Sequence, residues 1–120
     1  MLNIKVCLLA VLLATEAWAV NIQYTAKYNG KDLKGNAATQ TEKKAGGTLT
    51  DEQGTEVIEK MGEWSDNKFK ATKSKSVNVI TVVNTSNAKN KNDATSEVNE
   101  AQQLVNKNIT KDKREVAFMA

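Results

Sequence analysis

Nine consecutive residues alternate between two kinds of side chain. Val20, Ile22, Tyr24, Ala26 and Tyr28 fall in one phase, and Asn21, Gln23, Thr25 and Lys27 in the other. Side chains of a strand point alternately to opposite faces, so this pattern predicts a strand with one face in a core and the other in water. Asn29-Gly30 reads as the turn that ends it. The rest of the fold has to supply cover for that one apolar face.

The other segments suggest where the cover comes from. Asp32 to Ala45 is polar with scattered alanines, and reads either as a weak helix with Leu33, Ala37, Ala38 and Ala45 on one side or as a long loop. Thr50-Asp51-Glu52-Gln53 is a capping box, and Val57, Ile58 and Met61 continue it at helical spacing, so a short helix is predicted over Asp51–Met61. Lys68 to Lys75 and Val77 to Asn84 read as two strands, the second dense enough in Val and Ile to be central in a sheet. Asn84 to Asp93 has almost nothing to bury and reads as an exposed loop. Thr95-Ser96 then caps a second predicted helix carrying Val98, Ala101, Leu104 or Val105, and Ile109, and Arg114 to Met119 reads as a last strand. The order strand, helix, strand, strand, helix, strand is that of a split β-α-β, or ferredoxin-like, α+β domain. Two helices are expected on one face of a four-stranded antiparallel sheet, in a single domain over residues 20–120.

Residues 1–19 have the parts of a secretory signal peptide: Lys5 near the start, an apolar run from Val6 to Ala14, and Ala17-Trp18-Ala19 as a small-x-small cleavage site. The apolar run is shorter than the ~20 residues that span a bilayer, so the expectation is a secreted, extracellular protein with no membrane span. The chain's only cysteine, Cys7, lies in that leader. Residues 20–120 therefore fold without a disulfide, and their Leu, Ile, Val and Phe residues number only eighteen, which makes for a small core. Self-association is one way for such a chain to gain burial.

Residues 20–120 contain neither His nor Cys. That removes thiol nucleophiles, imidazole acid-base catalysis and the ligand types that zinc and copper sites rely on. Glu52, Glu56, Glu59 and Glu63 share a helix face, but catalytic carboxylate pairs come from separate elements across a cleft, so a solvated helix face is expected. Neither Asp51 to Glu63 nor Asn90 to Glu100 has the ligand order of a calcium loop, and Gly46-Gly47 is not a phosphate-binding motif. No catalytic residue, metal site or cofactor is expected.

Charge is the positive signal. Net charge is +3, but Asp51 to Asp66 holds six acids against Lys60 alone, whereas Asn67 to Asn92 holds Lys68, Lys70, Lys73, Lys75, Lys89 and Lys91 and no acid. Those six lysines are the candidate anion-binding residues; in a strand, Lys68 and Lys70 point one way and Lys73 and Lys75 the other. A plainer use for lysines there is protection of an edge strand against stray pairing. The partners expected are copies of the same chain or an anionic extracellular surface. Nucleic acid fits poorly, because the net charge is small and Phe69 is the only stacking residue in the basic segment. Asn84-Thr85-Ser86 and Asn108-Ile109-Thr110 match the N-glycosylation sequon, with Asn84 the better placed at a predicted strand end.

Two resemblances accompany this reading. Lys27 followed nineteen residues later by Gly46, in a stretch ending Ala45-Gly46-Gly47-Thr48-Leu49-Thr50, resembles the strand-helix-Gly-Gly-strand opening of the propeptide-like inhibitors of subtilisin-type proteases. That resemblance implies a split β-α-β fold and a protease inhibitor whose C-terminal residues, Val116 to Ala120, enter the protease cleft. In composition, the Thr, Lys, Asn, Ala and Val bias and the lack of Pro, Cys and His after the leader are similar to some secreted adhesive or shell-matrix proteins of marine invertebrates. Together these readings predict a small, non-enzymatic extracellular protein that acts by self-association or by binding an anionic surface, with protease inhibition as the alternative.

Overall fold

The computed structural model describes residues 19–111. They form a small compact α+β domain with a four-stranded mixed sheet and two helices. The elements are β1 (Ala19–Lys31), β2 (Ala37–Thr50), α1 (Asp51–Trp64), β3 (Phe69–Lys73), β4 (Val79–Asn84) and α2 (Lys91–Asn108). Residues 1–18, which hold most of the expected leader, and residues 112–120, which hold the expected last strand, lie outside the described residues.

The sheet order is β2-β1-β4-β3. β1 pairs antiparallel with β2 and parallel with β4, and β4 pairs antiparallel with β3. This corrects the expected all-antiparallel sheet. The order of the described elements is also strand, strand, helix, strand, strand, helix, so they do not follow the ferredoxin-like order. The reason lies in the fourteen-residue strand Ala37–Thr50, much of which falls within Asp32 to Ala45, where a weak helix or loop was expected.

That strand is hard to see because its inward residues are polar. Ala38, Gln40, Glu42 and Lys44 share the core side of β2, where α2 meets them with polar groups: Lys44 Nζ lies 2.6 Å from Asn99 Oδ1, and Glu42 faces Lys91 at 3.9 Å. The turn also falls later than Asn29-Gly30. β1 runs through both residues, and the reversal is made by Asp32, whose Oδ1 accepts from the backbone N–H groups of Lys34 and Asn36, each at 2.9 Å. Gly35, with φ of +83°, completes the turn.

Gly46-Gly47 is a β-bulge. The register passes from Asn21 opposite Thr48 to Gln23 opposite Ala45, so two residues of β2 oppose Ile22 alone. The inserted residue changes the phase of the strand and returns Leu49 to the core side, opposite Val20. Gly46 has to lack a side chain, because a Cβ there would run into the Tyr24 ring and come within 2.9 Å of Ile22 Cγ2. The strand-helix-Gly-Gly-strand opening of the propeptide-like inhibitors is therefore absent; a hairpin with a bulge takes its place.

Both predicted helices are present, with α1 running on to Trp64. Thr50 Oγ1 accepts from Gln53 N–H and Gln53 Oε1 accepts from Thr50 N–H, closing the capping box at 3.1 and 3.0 Å. Both helices cover one face of the sheet. A single core joins Val20, Ile22, Tyr24 and Ala26 of β1, Phe69 and Ala71 of β3, and Ile80 and Val82 of β4 to Val57 and Met61 of α1 and to Ala94, Val98, Ala101 and Val105 of α2. Full burial of residues such as Phe69, Met61 and Ile80 stabilises the fold by about 1.5–3 kcal/mol each. α2 starts earlier than expected because Asn90, not Thr95, is its cap, accepting from Asp93 N–H at 2.9 Å. No helix among the described residues is long and apolar enough to cross a membrane.

Candidate anion-binding face

Since both helices lie on one side, the other face of the sheet has no layer over it among the described residues. Its composition follows from the strand register. One cross-strand row reads Lys43, Thr25, Val83, Lys70 from β2 to β3, the next reads Ala45, Gln23, Thr81, Thr72, and a third brings Thr48, Asn21 and Val79 together. The β1–β2 hairpin continues the face past the end of β4, adding Lys27 beside Thr41 and Lys31 beside Ala37. Adjacent strands are about 4.8 Å apart, so the backbones of Lys43 and Lys70 stand about 14 Å apart, with a threonine and a valine between them.

Four lysines therefore lie on this face and no strand acid does. Glu42, the one carboxylate in the four strands, is in register with buried Ala26 and so points to the helix side. The helix layer carries the opposite charge, with Asp51, Glu52, Glu56, Glu59, Glu63, Asp93, Glu97 and Glu100 against Lys60, Lys91 and Lys107. Charge is thus separated by layer. Among the described residues no ion pair engages Lys27, Lys31, Lys43 or Lys70.

The six lysines expected from the sequence to act together are dispersed. Lys70 alone points out from the uncovered face. Lys68 turns to the helix layer, 2.9 Å from Glu100 Oε1, with its ammonium 5.8 Å from the centre of the Phe69 ring. Lys73, in register with buried Ile80, lies beside Asp51, Thr55 and Ile58 of α1. Lys75 is in the β3–β4 turn, Lys89 precedes α2, and Lys91 sits near Glu42. Among the described residues β3 is an edge strand, the position that the plainer reading of its lysines calls for. Lys27, Lys31 and Lys43 do not stand out in the sequence, because charge counted along the chain cannot bring three strands together. Lys27 was nonetheless visible in the polar phase of the first strand.

The remaining sequence candidates have structural surroundings. Asn84 is buried, and its Nδ2 donates to Lys27 C=O at 2.8 Å and to Glu97 Oε1 at 3.0 Å, so a glycan has no room there in the folded domain. Asn108 is exposed in the last turn of α2, where its Nδ2 donates to Leu104 C=O. Of the four glutamates of α1, Glu56 is a clamp: it accepts from Thr110 N–H and Thr110 Oγ1, both at 2.7 Å. The Thr110 backbone N–H, more than its hydroxyl or Lys60, holds the Glu56 carboxyl below the usual carboxylate range. No group of three or more His, Cys, Asp or Glu capable of holding a metal occurs among the described residues.

A face of ammonium groups and hydroxyls with no aromatic ring suits a charged, extended ligand better than a neutral sugar, which calls for stacking. Each ammonium brings a point charge with three donors, and the threonines add donors and acceptors at low desolvation cost. Comparison of the chain finds no match among protein-family models, curated proteins or solved structures.

Proposed function

We propose that this chain is a non-enzymatic protein that works outside the cell by binding an anionic extracellular surface, such as an acidic glycan, through the uncovered face of its sheet. The observation that carries this reading is the separation of charge by layer: Lys27, Lys31, Lys43 and Lys70 on a strand face without a carboxylate, and the acids in the helix layer behind it. Such a dipole turns the lysine face toward a negative surface and the helices away from it. The export signal read in residues 1–19 supports a site of action where such surfaces occur.

The test is retention on a sulfated polysaccharide matrix. The chain is to be compared with a variant carrying Lys27→Gln, Lys31→Gln, Lys43→Gln and Lys70→Gln, and with one carrying Lys73→Gln, Lys75→Gln, Lys89→Gln and Lys107→Gln. Each variant removes the same charge. The first should elute at much lower salt and the second close to the parent; equal loss in both would mean that net charge, not this face, governs binding.

A further inference from the structure

Among the described residues β2 is the outer strand of the sheet on one side, and no other strand pairs with its long outer edge. Lys27 and Asn29 of β1 turn their backbone groups away from β2: Lys27 N–H donates to Asn84 Oδ1, Lys27 C=O accepts from Ala88 N–H, and Asn29 N–H donates to Ala88 C=O. In an antiparallel ladder, the residues opposite such positions also point outward. Thr41 stands opposite Lys27 and Thr39 opposite Asn29, so both present their N–H and C=O groups on the outer edge. The same phase brings Ala37, Lys43 and Ala45 to that edge. No hydrogen bond among the described residues engages those groups, and all five residues are exposed.

The two edges of the sheet differ in how they are guarded. β3 is five residues long and carries Lys70 and Lys73, the usual defences against stray pairing. The β2 edge runs from Ala37 to the bulge at Gly46-Gly47, and Ala37 to Thr41 carries no charge at all.

We infer that this edge pairs with the same edge of a second copy, in antiparallel fashion about a two-fold axis at Thr41. In that register Thr41 faces Thr41 of the second copy, Gln40 faces Glu42, Thr39 faces Lys43, Ala38 faces Lys44 and Ala37 faces Ala45. The whole stretch between turn and bulge is paired and no like charges meet. Moving the axis to Glu42 opposes two carboxylates and moving it to Lys43 opposes two ammoniums, so charge disfavours a shift toward the bulge, while a shift toward the turn shortens the paired stretch. An isologous pair of this kind closes on itself and stops at the dimer. It joins two sheets into one and doubles the lysine face, a consequence that rests on the proposed function; the pairing itself does not.

The experiment is light scattering behind a sizing column on the full chain, as processed by the expressing cell, without polyanion and over a range of concentration and salt. Two variants accompany it, each checked by circular dichroism. Thr41→Pro removes an outward donor without touching a ladder bond to β1, and should weaken the dimer about thirtyfold, since the two copies exchange two bonds at that pair. Thr41→Lys opposes two ammoniums on the axis and should weaken it up to about fivefold at low salt, with recovery as salt is raised. The expected parent is a dimer that persists in salt. A monomer at every concentration, as would follow if another part of this chain covered the edge, overturns the inference, and so does an oligomer indifferent to Thr41→Lys.

Discussion

The carboxamide of Asn84 stands in for a strand backbone against Lys27. Its Oδ1 accepts from Lys27 N–H at 3.0 Å and its Nδ2 donates to Lys27 C=O at 2.8 Å, at the point where β4 ends and β1 continues without it. The same Nδ2 reaches Glu97 of α2 at 3.0 Å. One buried side chain thus extends the β1–β4 pairing, ties α2 to the sheet and fixes the strand segment that carries Lys27 on the uncovered face.

Asn84→Ala leaves Lys27 N–H without its partner in a part-buried place and should cost about 1–3 kcal/mol. Urea unfolding of the parent and the variant measures it. Asn84→Asp keeps the shape but sets a carboxylate against Lys27 C=O and Glu97; it should cost at least as much at neutral pH and regain part of that as acid protonates the new carboxyl. Stability unchanged in Asn84→Ala would contradict the role given to this residue.

Gly46→Ala tests the bulge. The added Cβ meets the Tyr24 ring and Ile22 Cγ2, both in the core, and overpacking of this kind costs about 1–3 kcal/mol. A lower midpoint in thermal or urea unfolding is expected, and a neutral result would show that the Tyr24 ring is free to move aside.

Burial pushes the Tyr24 phenol up to about 12, from an ordinary value of 10.0. The folded state therefore holds its proton over a range where the unfolded chain gives it up. This contribution is complete below pH 10 and is lost as pH rises toward 12, by about 2–3 kcal/mol in all. Unfolding free energies measured from pH 9 to 12 should show the fall, and Tyr24→Phe should flatten it.

Glu56 has the opposite sign. Its carboxyl is held low by Thr110, so the stability it adds is present above its ordinary value of 4.5 and disappears as acid protonates it. Glu56→Gln should release Thr110 from α1 at neutral pH, read as faster amide exchange at Thr110, and reproduce there what the parent shows only in acid.

The elements that were plain in the sequence are those whose signals are local. The alternation of residues 20–28, the Thr50–Gln53 capping box and the three-to-four spacing of Val98, Ala101 and Leu104 or Val105 each depend on near neighbours, and each corresponds to an element of the fold. β2 was opaque because its inner positions are filled by Gln40, Glu42 and Lys44, the last two met by α2 from more than forty-five residues away, and because the bulge breaks its phase halfway. Mistaking that strand for a helix or loop also misplaced the sheet order. The lysine face depends on it too, since Lys43 and Lys70 fall in one row only once β2, β1, β4 and β3 are set side by side.

The most direct test of the proposed binding face is to follow the backbone amide signals of the labelled chain during titration with a sulfated oligosaccharide. Shifts confined to the strands and largest around Thr25, Lys27, Lys43 and Lys70, with α1 and α2 silent, are what the separation of charge by layer predicts. Shifts centred on α1, α2 or the Lys75 turn, with the uncovered face unchanged, would contradict it.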